Sequence, residues 1–207
     1  MPPPPDLSRR RLPLKVLKPG DRLVRVHTLG RDPLFFGPAA GSPPTGRWDS
    51  PERRFTTCYF ADVAHASLAF AERFLRDPQR TLIPEAEIRR GGVSVVQVVQ
   101  PLAIVQFHGA SLRRLGATAA VAHGDHRESR LWAQALYDHR DAPNGVRWRS
   151  RVDDDGFAVA LFDRGRQALR IRDTQPLLEA RAILDLEACL DRYGAAVVEE
   201  HSGSGES

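Results

Sequence analysis

Arg47, Tyr59 and Glu72 are the residues of this chain whose types and spacing fit chemistry. They stand in Gly46-Arg47-Trp48-Asp49-Ser50-Pro51, in Cys58-Tyr59-Phe60-Ala61 and in Ala69-Phe70-Ala71-Glu72. A guanidinium, an aromatic hydroxyl and a carboxylate on a turn, a strand and a helix make a set that can hold a phosphate-bearing ligand and stabilise a cationic sugar.

The surrounding patterns predict the elements that would position them. Leu23 to His27 alternates, with Val24 and Val26 on one face and Leu23, Arg25 and His27 on the other. A strand of this kind would carry Arg25 and His27 towards a cleft. Gly30 to Pro51 is crowded with Gly and Pro and reads as a long loop with turns. Thr56 to Ala61 is a strand, and Asp62 offers an N-cap for a helix reaching about Leu75. Ala64, Leu68, Ala71 and Leu75 make its buried stripe, and Glu72 falls at the border of that stripe. A carboxylate there is costly unless it meets a partner or faces a cleft, and Arg76, four residues on, is the bland structural partner.

Further along, Val93 to Val99 and Leu102 to Phe107 read as strands interrupted at Pro101. Asp125 and Glu128 form a capping box ahead of a helix whose apolar face uses Leu131, Trp132, Ala135 and Leu136. Asn144-Gly145 turns into a strand over Val146 to Arg149, and Phe157 to Phe162 is another. A helix from about Leu177 to Tyr193, stopped by Gly194, closes the chain. Strands and helices mix without regular alternation, which predicts an α+β fold: one domain with mixed central β-sheets flanked by helices. The expected boundaries are a flexible Pro-rich N-terminus over 1–15, a catalytic domain over 16–198 and a disordered tail over 199–207.

Composition narrows the function classes. With 207 residues and 42% hydrophobic content the chain can bury one sizeable core. The formal net charge is +4, Lys15 and Lys18 are the only lysines, and the arginines are scattered. A solvated basic surface fits this better than a nucleic-acid footprint, so direct nucleic-acid binding is disfavoured. There is no apolar run of about 18 residues and no secretory start, so a cytoplasmic protein away from membranes is expected. Cys58 and Cys189 read as ordinary thiols. Phosphate-binding Gly-rich loops are missing, and no Gly-x-Ser-x-Gly occurs before the tail. His123-Gly124-Asp125-His126 lacks a matching second pair, so no metal is expected.

Taken in order, Arg25-Val26-His27, Phe36-Gly37, the Gly46 to Pro51 turn, Tyr59, Ala69 to Glu72, Gly145-Val146-Arg147-Trp148-Arg149-Ser150-Arg151 and Ala160-Leu161-Phe162 resemble the RES-domain family. The match runs over roughly residues 20 to 165; Asp49 stands where the family often shows Asn, and Arg127-Glu128-Ser129 is unrelated to the family name. The resemblance implies a fold similar to ADP-ribosyltransferases and a toxin of a bacterial type II toxin–antitoxin system that acts on NAD. Such proteins degrade NAD by hydrolysis or phosphorolysis of the nicotinamide–ribose bond, or transfer ADP-ribose to a protein. Their usual partner is an Xre-like antitoxin with a DNA-binding helix-turn-helix and a domain that covers the active site.

Carried over by motif, the family arginine is Arg47, with Arg25 as a second cleft arginine; the tyrosine is Tyr59, the glutamate Glu72 and the serine Ser150. Glu72, Arg47 and Tyr59 form the expected catalytic set. Arg25, Arg47, Tyr59, Ser150 and Arg151 form the expected NAD-binding set. A carboxylate beside the ribose would stabilise its oxocarbenium character, and planar guanidinium groups suit a pyrophosphate. Tyr59 would stack on nicotinamide and donate from its hydroxyl, while Ser150 would hydrogen-bond a ribose or phosphate oxygen. Whether water, inorganic phosphate or a protein accepts the ADP-ribosyl group stays open. A non-enzymatic basic nucleic-acid-binding module is the alternative from a different class.

Overall fold

The runs rich in valine and aromatics become strands. The computed structural model describes residues 1–37 and 42–199, so the expected tail lies outside the described residues apart from Glu199. In chain order the first half contains β1 (Leu14–Leu17), β2 (Arg22–Thr28), β3 (Thr57–Asp62), α1 (Ala66–Phe74), β4 (Leu82–Pro84), α2 (Glu85–Arg89), β5 (Gly91–Val98) and β6 (Leu102–Phe107). The second half contains α3 (Ala110–Leu115), α4 (Ala120–His123), α5 (His126–Tyr137), β7 (Gly145–Arg149), β8 (Phe157–Phe162), β9 (Leu169–Pro176), α6 (Leu186–Tyr193) and β10 (Ala196–Val198).

Eight strands form one sheet in the order β1-β6-β7-β8-β3-β2-β5-β9, and β10 pairs with β4 in a small second sheet. In the large sheet, β6 and β7 run parallel, joined by the crossover through α3, α4 and α5, and the other neighbours are antiparallel. This is a mixed α+β domain. Leu102 and Ile104 from one end of the sheet share a buried cluster with Val96, Val98 and Leu169 from the other end. Strands so far apart in the order meet only because the sheet curls round on itself.

The other face packs against helices. Val24, Val26, Val146, Trp148, Ala158 and Ala160 meet Leu68 and Phe70 of α1 and Trp132 of α5. Register sets the floor of the site on this face. Tyr59 lies opposite Ala160, and Trp148 opposite Ala158, so both aromatic side chains flank a strand of small residues. Alanines there leave space that larger side chains would fill.

Three expectations about elements differ from the structure. Residues 1–15 were expected to be flexible, yet Leu7 and Leu12 are buried, β1 pairs with β6 and Trp132 Nε1 donates to the Met1 carbonyl at 3.0 Å. Proline-rich composition gave no local signal for this docking, which comes from tertiary burial of two leucines. Asp62 does not cap α1; a 3-10 turn over Val63–His65 intervenes, and Asp62 Oδ2 accepts from Arg147 Nε at 3.1 Å and Nη2 at 2.7 Å. The helix expected from Leu177 to Tyr193 is instead a short 3-10 turn over Leu177–Glu179 followed by the shorter α6, capped by Asp185 accepting from Ala188 N at 3.2 Å. Gly194 ends α6 at φ 60, the left-handed conformation that favours glycine.

Candidate active site

The turn that carries Arg47 is held by side chains. Asp49 Oδ2 accepts from the backbone N–H groups of Thr45 at 3.0 Å and Gly46 at 2.6 Å. Tyr59 donates its hydroxyl to Asp49 Oδ1 at 2.7 Å and accepts from Trp48 N–H at 2.8 Å. Only glycine fits at 46, because a Cβ there would overlap the Tyr59 hydroxyl and lie 2.7 Å from Asp49 Oδ1. Trp48 is fully buried against Phe107 and Trp148, anchoring the turn in the core. Burial and the adjacent Asp49 carboxylate push the Tyr59 phenol well above its usual pKa, so it stays protonated and keeps donating.

From this turn Arg47 reaches the end of α4, where its Nη1 donates to the carbonyls of Gly124 at 2.8 Å and Val121 at 3.4 Å. Carbonyls at a helix C-terminus lack intrahelical donors, so the guanidinium satisfies them and is fixed in return. Burial, then the nearby Arg151, lowers the Arg47 pKa from its ordinary value. Arginine's high intrinsic basicity keeps it cationic.

Glu72 projects from α1 into the same space. Ser150 Oγ donates to Glu72 Oε1 at 2.6 Å and accepts from Val152 N–H at 3.0 Å. Arg76 Nε donates to the Glu72 carbonyl oxygen at 2.6 Å and stands 3.6 Å from Oε2. Arg151 Nη2 in turn donates to the Arg76 carbonyl at 3.3 Å.

These groups line one cleft in two lobes. A cavity of about 170 Å³ is bordered by Arg47, Tyr59, Glu72, Arg76, His126 and Arg151, with Trp148 in its wall. A second of about 190 Å³ shares Tyr59, Glu72, Arg76 and Trp148 and extends over Val24 and Val26 towards Arg73. Cationic guanidinium groups thus surround a single carboxylate over an aromatic floor. That arrangement can bind an anionic ligand and place a carboxylate beside a developing cation.

Residues 22–182 match the model of the RES domain. The chain belongs to the RES-domain family. A relative of this RES domain, the "Probable toxin y4kH" of Sinorhizobium fredii, is 27% identical over 114 residues, covering 55% of this chain and 87% of that protein. The crystal structure of the Mycobacterium tuberculosis MbcT–MbcA toxin–antitoxin complex contains a chain with the same fold. The TM-score is 0.57 at 16% identity, covering 86% of this chain and 98% of that one.

Within this RES domain, Arg47, Tyr59, Glu72 and Arg151 come together as expected, but two residues are placed differently. Arg25 lies on the sheet face opposite Tyr59, as the pairing of its neighbour Val24 with Ala61 requires. Its Nη1 donates to the carbonyls of Pro33 at 2.9 Å and Phe35 at 3.0 Å and contacts Cys58 Sγ. Although β2 passes along the cleft, the Arg25 guanidinium is committed to the loop behind it. Ser150 is fully buried, and its hydroxyl is engaged by Glu72 and Val152, so in this structure it holds the carboxylate.

His27 shares the Arg25 face, where its Nε2 lies 2.8 Å from Ser94 Oγ and burial lowers its pKa. Three cleft residues were not read as part of the site. Trp148 was signalled by the strand pattern around it and Arg76 by its helical spacing from Glu72. His126 was weighed only within His123-Gly124-Asp125-His126 as a metal cluster, not as a wall of this cleft. Burial, followed by Arg47 and Arg130, depresses its pKa and favours the neutral imidazole.

Proposed function

We propose that this RES-domain protein is the toxin of a toxin–antitoxin pair and that it consumes NAD by cleaving the bond between nicotinamide and ribose. The observation that carries this reading is Glu72, gripped by Ser150 at 2.6 Å and facing Arg47 and Tyr59 across one cleft. Support for the biological role comes from the relatives, one named a probable toxin and one solved within a toxin–antitoxin complex.

In the proposed reaction the C1′–N bond of the nicotinamide riboside breaks, and its electron pair stays on the ring nitrogen, so neutral nicotinamide leaves. The ribose carbon gains oxocarbenium character, which the Glu72 carboxylate stabilises. Arg47 holds diphosphate oxygens, while Tyr59 and Trp148 provide the aromatic wall for the pyridinium ring. Water or inorganic phosphate then bonds to C1′ and gives up a proton. No described helix is long and apolar enough to cross a membrane. The proposed setting is the cytoplasm, where NAD is available, and the proposed partner is an Xre-like antitoxin that covers this cleft.

Nicotinamide release from NAD by the purified protein, with and without phosphate, tests the reaction. Release that depends on phosphate identifies a phosphorylase, and release without it a glycohydrolase. Label from NAD appearing on a protein would make the chain an ADP-ribosyltransferase. Inert NAD together with salt-dependent DNA binding would overturn the enzymatic reading altogether.

A further inference from the structure

With the Arg25 guanidinium turned away, Arg76 is the arginine whose side chain borders both lobes of the cleft beside Arg47. It follows the end of α1, one turn beyond Glu72. Its side chain is 63% exposed and borders both lobes of the cleft. Nε is tied to the Glu72 carbonyl, while among the described residues Nη1 and Nη2 have no protein acceptor. A guanidinium held by one hydrogen bond and open at two nitrogens is free to re-orient and present a fork to an anion.

The two oxygens of Glu72 are held unequally. Oε1 receives a hydrogen bond of 2.6 Å from a fully buried serine, a fixed contact. Among the described residues Oε2 has only Arg76 Nε, at 3.6 Å, in a pair whose side chains are 63% and 29% exposed. Exposed pairs of that length are weak, so a diphosphate carrying two charges competes well for the same cation.

We propose that Arg76 is an exchangeable diphosphate clamp: in the free protein its Nε holds the Glu72 carbonyl and lies over Oε2, and on binding the guanidinium leaves both for the ligand's diphosphate. The carboxylate is then unmasked only when a substrate brings a diphosphate. The inference rests on the NAD reading and adds a substrate rule. Nicotinamide riboside, which has the scissile bond and no diphosphate, leaves Arg76 on Glu72 and reacts poorly.

The test compares Arg76→Ala and Arg76→Lys with the parent, using NAD and nicotinamide riboside. Arg76→Ala raises KM for NAD by about tenfold or more with a smaller change in kcat, and Arg76→Lys recovers part of the loss. On nicotinamide riboside, kcat/KM of Arg76→Ala equals or exceeds that of the parent, because nothing covers Oε2. A parental KM for NAD in Arg76→Ala, or riboside activity falling in step with NAD activity, overturns the clamp. ADP-ribose binding, followed by tryptophan fluorescence, separates binding from chemistry. Arg76→Ala weakens it by about tenfold, whereas unchanged affinity, or no ADP-ribose binding by the parent, overturns the clamp. If the parent binds ADP-ribose through Arg76 but releases no nicotinamide from NAD, the cleavage reading falls and the clamp stands.

Discussion

Ser150 and Glu72 are 78 residues apart in sequence and joined by a 2.6 Å hydrogen bond from Oγ to Oε1. The bond fixes the carboxylate to the loop after β7, so α1 alone does not decide where Glu72 points. A hydrogen bond to a charged group contributes about 1.5–3 kcal/mol. Ser150→Ala is therefore expected to lower kcat for nicotinamide release by about tenfold to a hundredfold. Glu72→Gln keeps the shape and removes the charge, so it retains the parent's circular dichroism, loses about a hundredfold or more in kcat and relieves growth inhibition. A Glu72→Gln protein as toxic as its parent would remove the carboxylate from the mechanism.

Gly46 and Tyr59 share one volume, and either substitution disturbs the turn behind Arg47. Gly46→Ala forces the Tyr59 hydroxyl or Asp49 to move, at a cost of about 1–3 kcal/mol. Tyr59→Phe leaves the Trp48 N–H without its acceptor and costs about 1–3 kcal/mol. Urea midpoints measure both losses. Equal stability of Gly46→Ala and parent would show that the turn relaxes freely.

Arg25 separates the two faces of the sheet experimentally. Its bonds to the Pro33 and Phe35 carbonyls are structural, so Arg25→Ala is expected to destabilise by about 1–2 kcal/mol. KM for NAD stays within about twofold of the parent. A tenfold rise in KM without loss of stability would return Arg25 to the ligand.

Asp153 makes stability depend on acid. Burial pushes its carboxyl up, but hydrogen bonds from Arg192 at 2.8 Å and Tyr193 at 2.9 Å outweigh it and hold the pKa below the ordinary value. With the folded pKa below the unfolded value of about 3.9, the unfolded chain binds more protons in the interval between them. The contribution is thus full above the unfolded pKa and is lost as pH falls through the folded one. Urea midpoints at descending pH should fall below about pH 4 in the parent, with a shallower slope in Asp153→Asn.

The sequence makes the framework of the site readable where local periodicity carries it. Alternation in Leu23 to His27 separates the two faces of β2 correctly, but it does not say on which face the cleft opens. The helix α1 packs over Val24 and Val26, so the cleft opens on the apolar face and Arg25 is left behind the sheet. Ser150 presents a similar difficulty, because its partner is distant in sequence and known only from the fold. The edge strand β9 escapes detection because Arg170 to Thr174 are exposed, leaving no apolar alternation to read. Leu7 and Leu12 look like part of a proline-rich tail until the core that receives them is formed.

The Trp48 amide is held by a phenol where a strand residue would have its neighbour's carbonyl. Its acceptor sits on β3, and its own indole is fully buried, although the turn has no regular secondary structure. In deuterated solvent this amide can exchange only when Tyr59 withdraws from it. It should therefore keep time with the slowest amides of β3 and β8, making an irregular loop kinetically a member of the sheet.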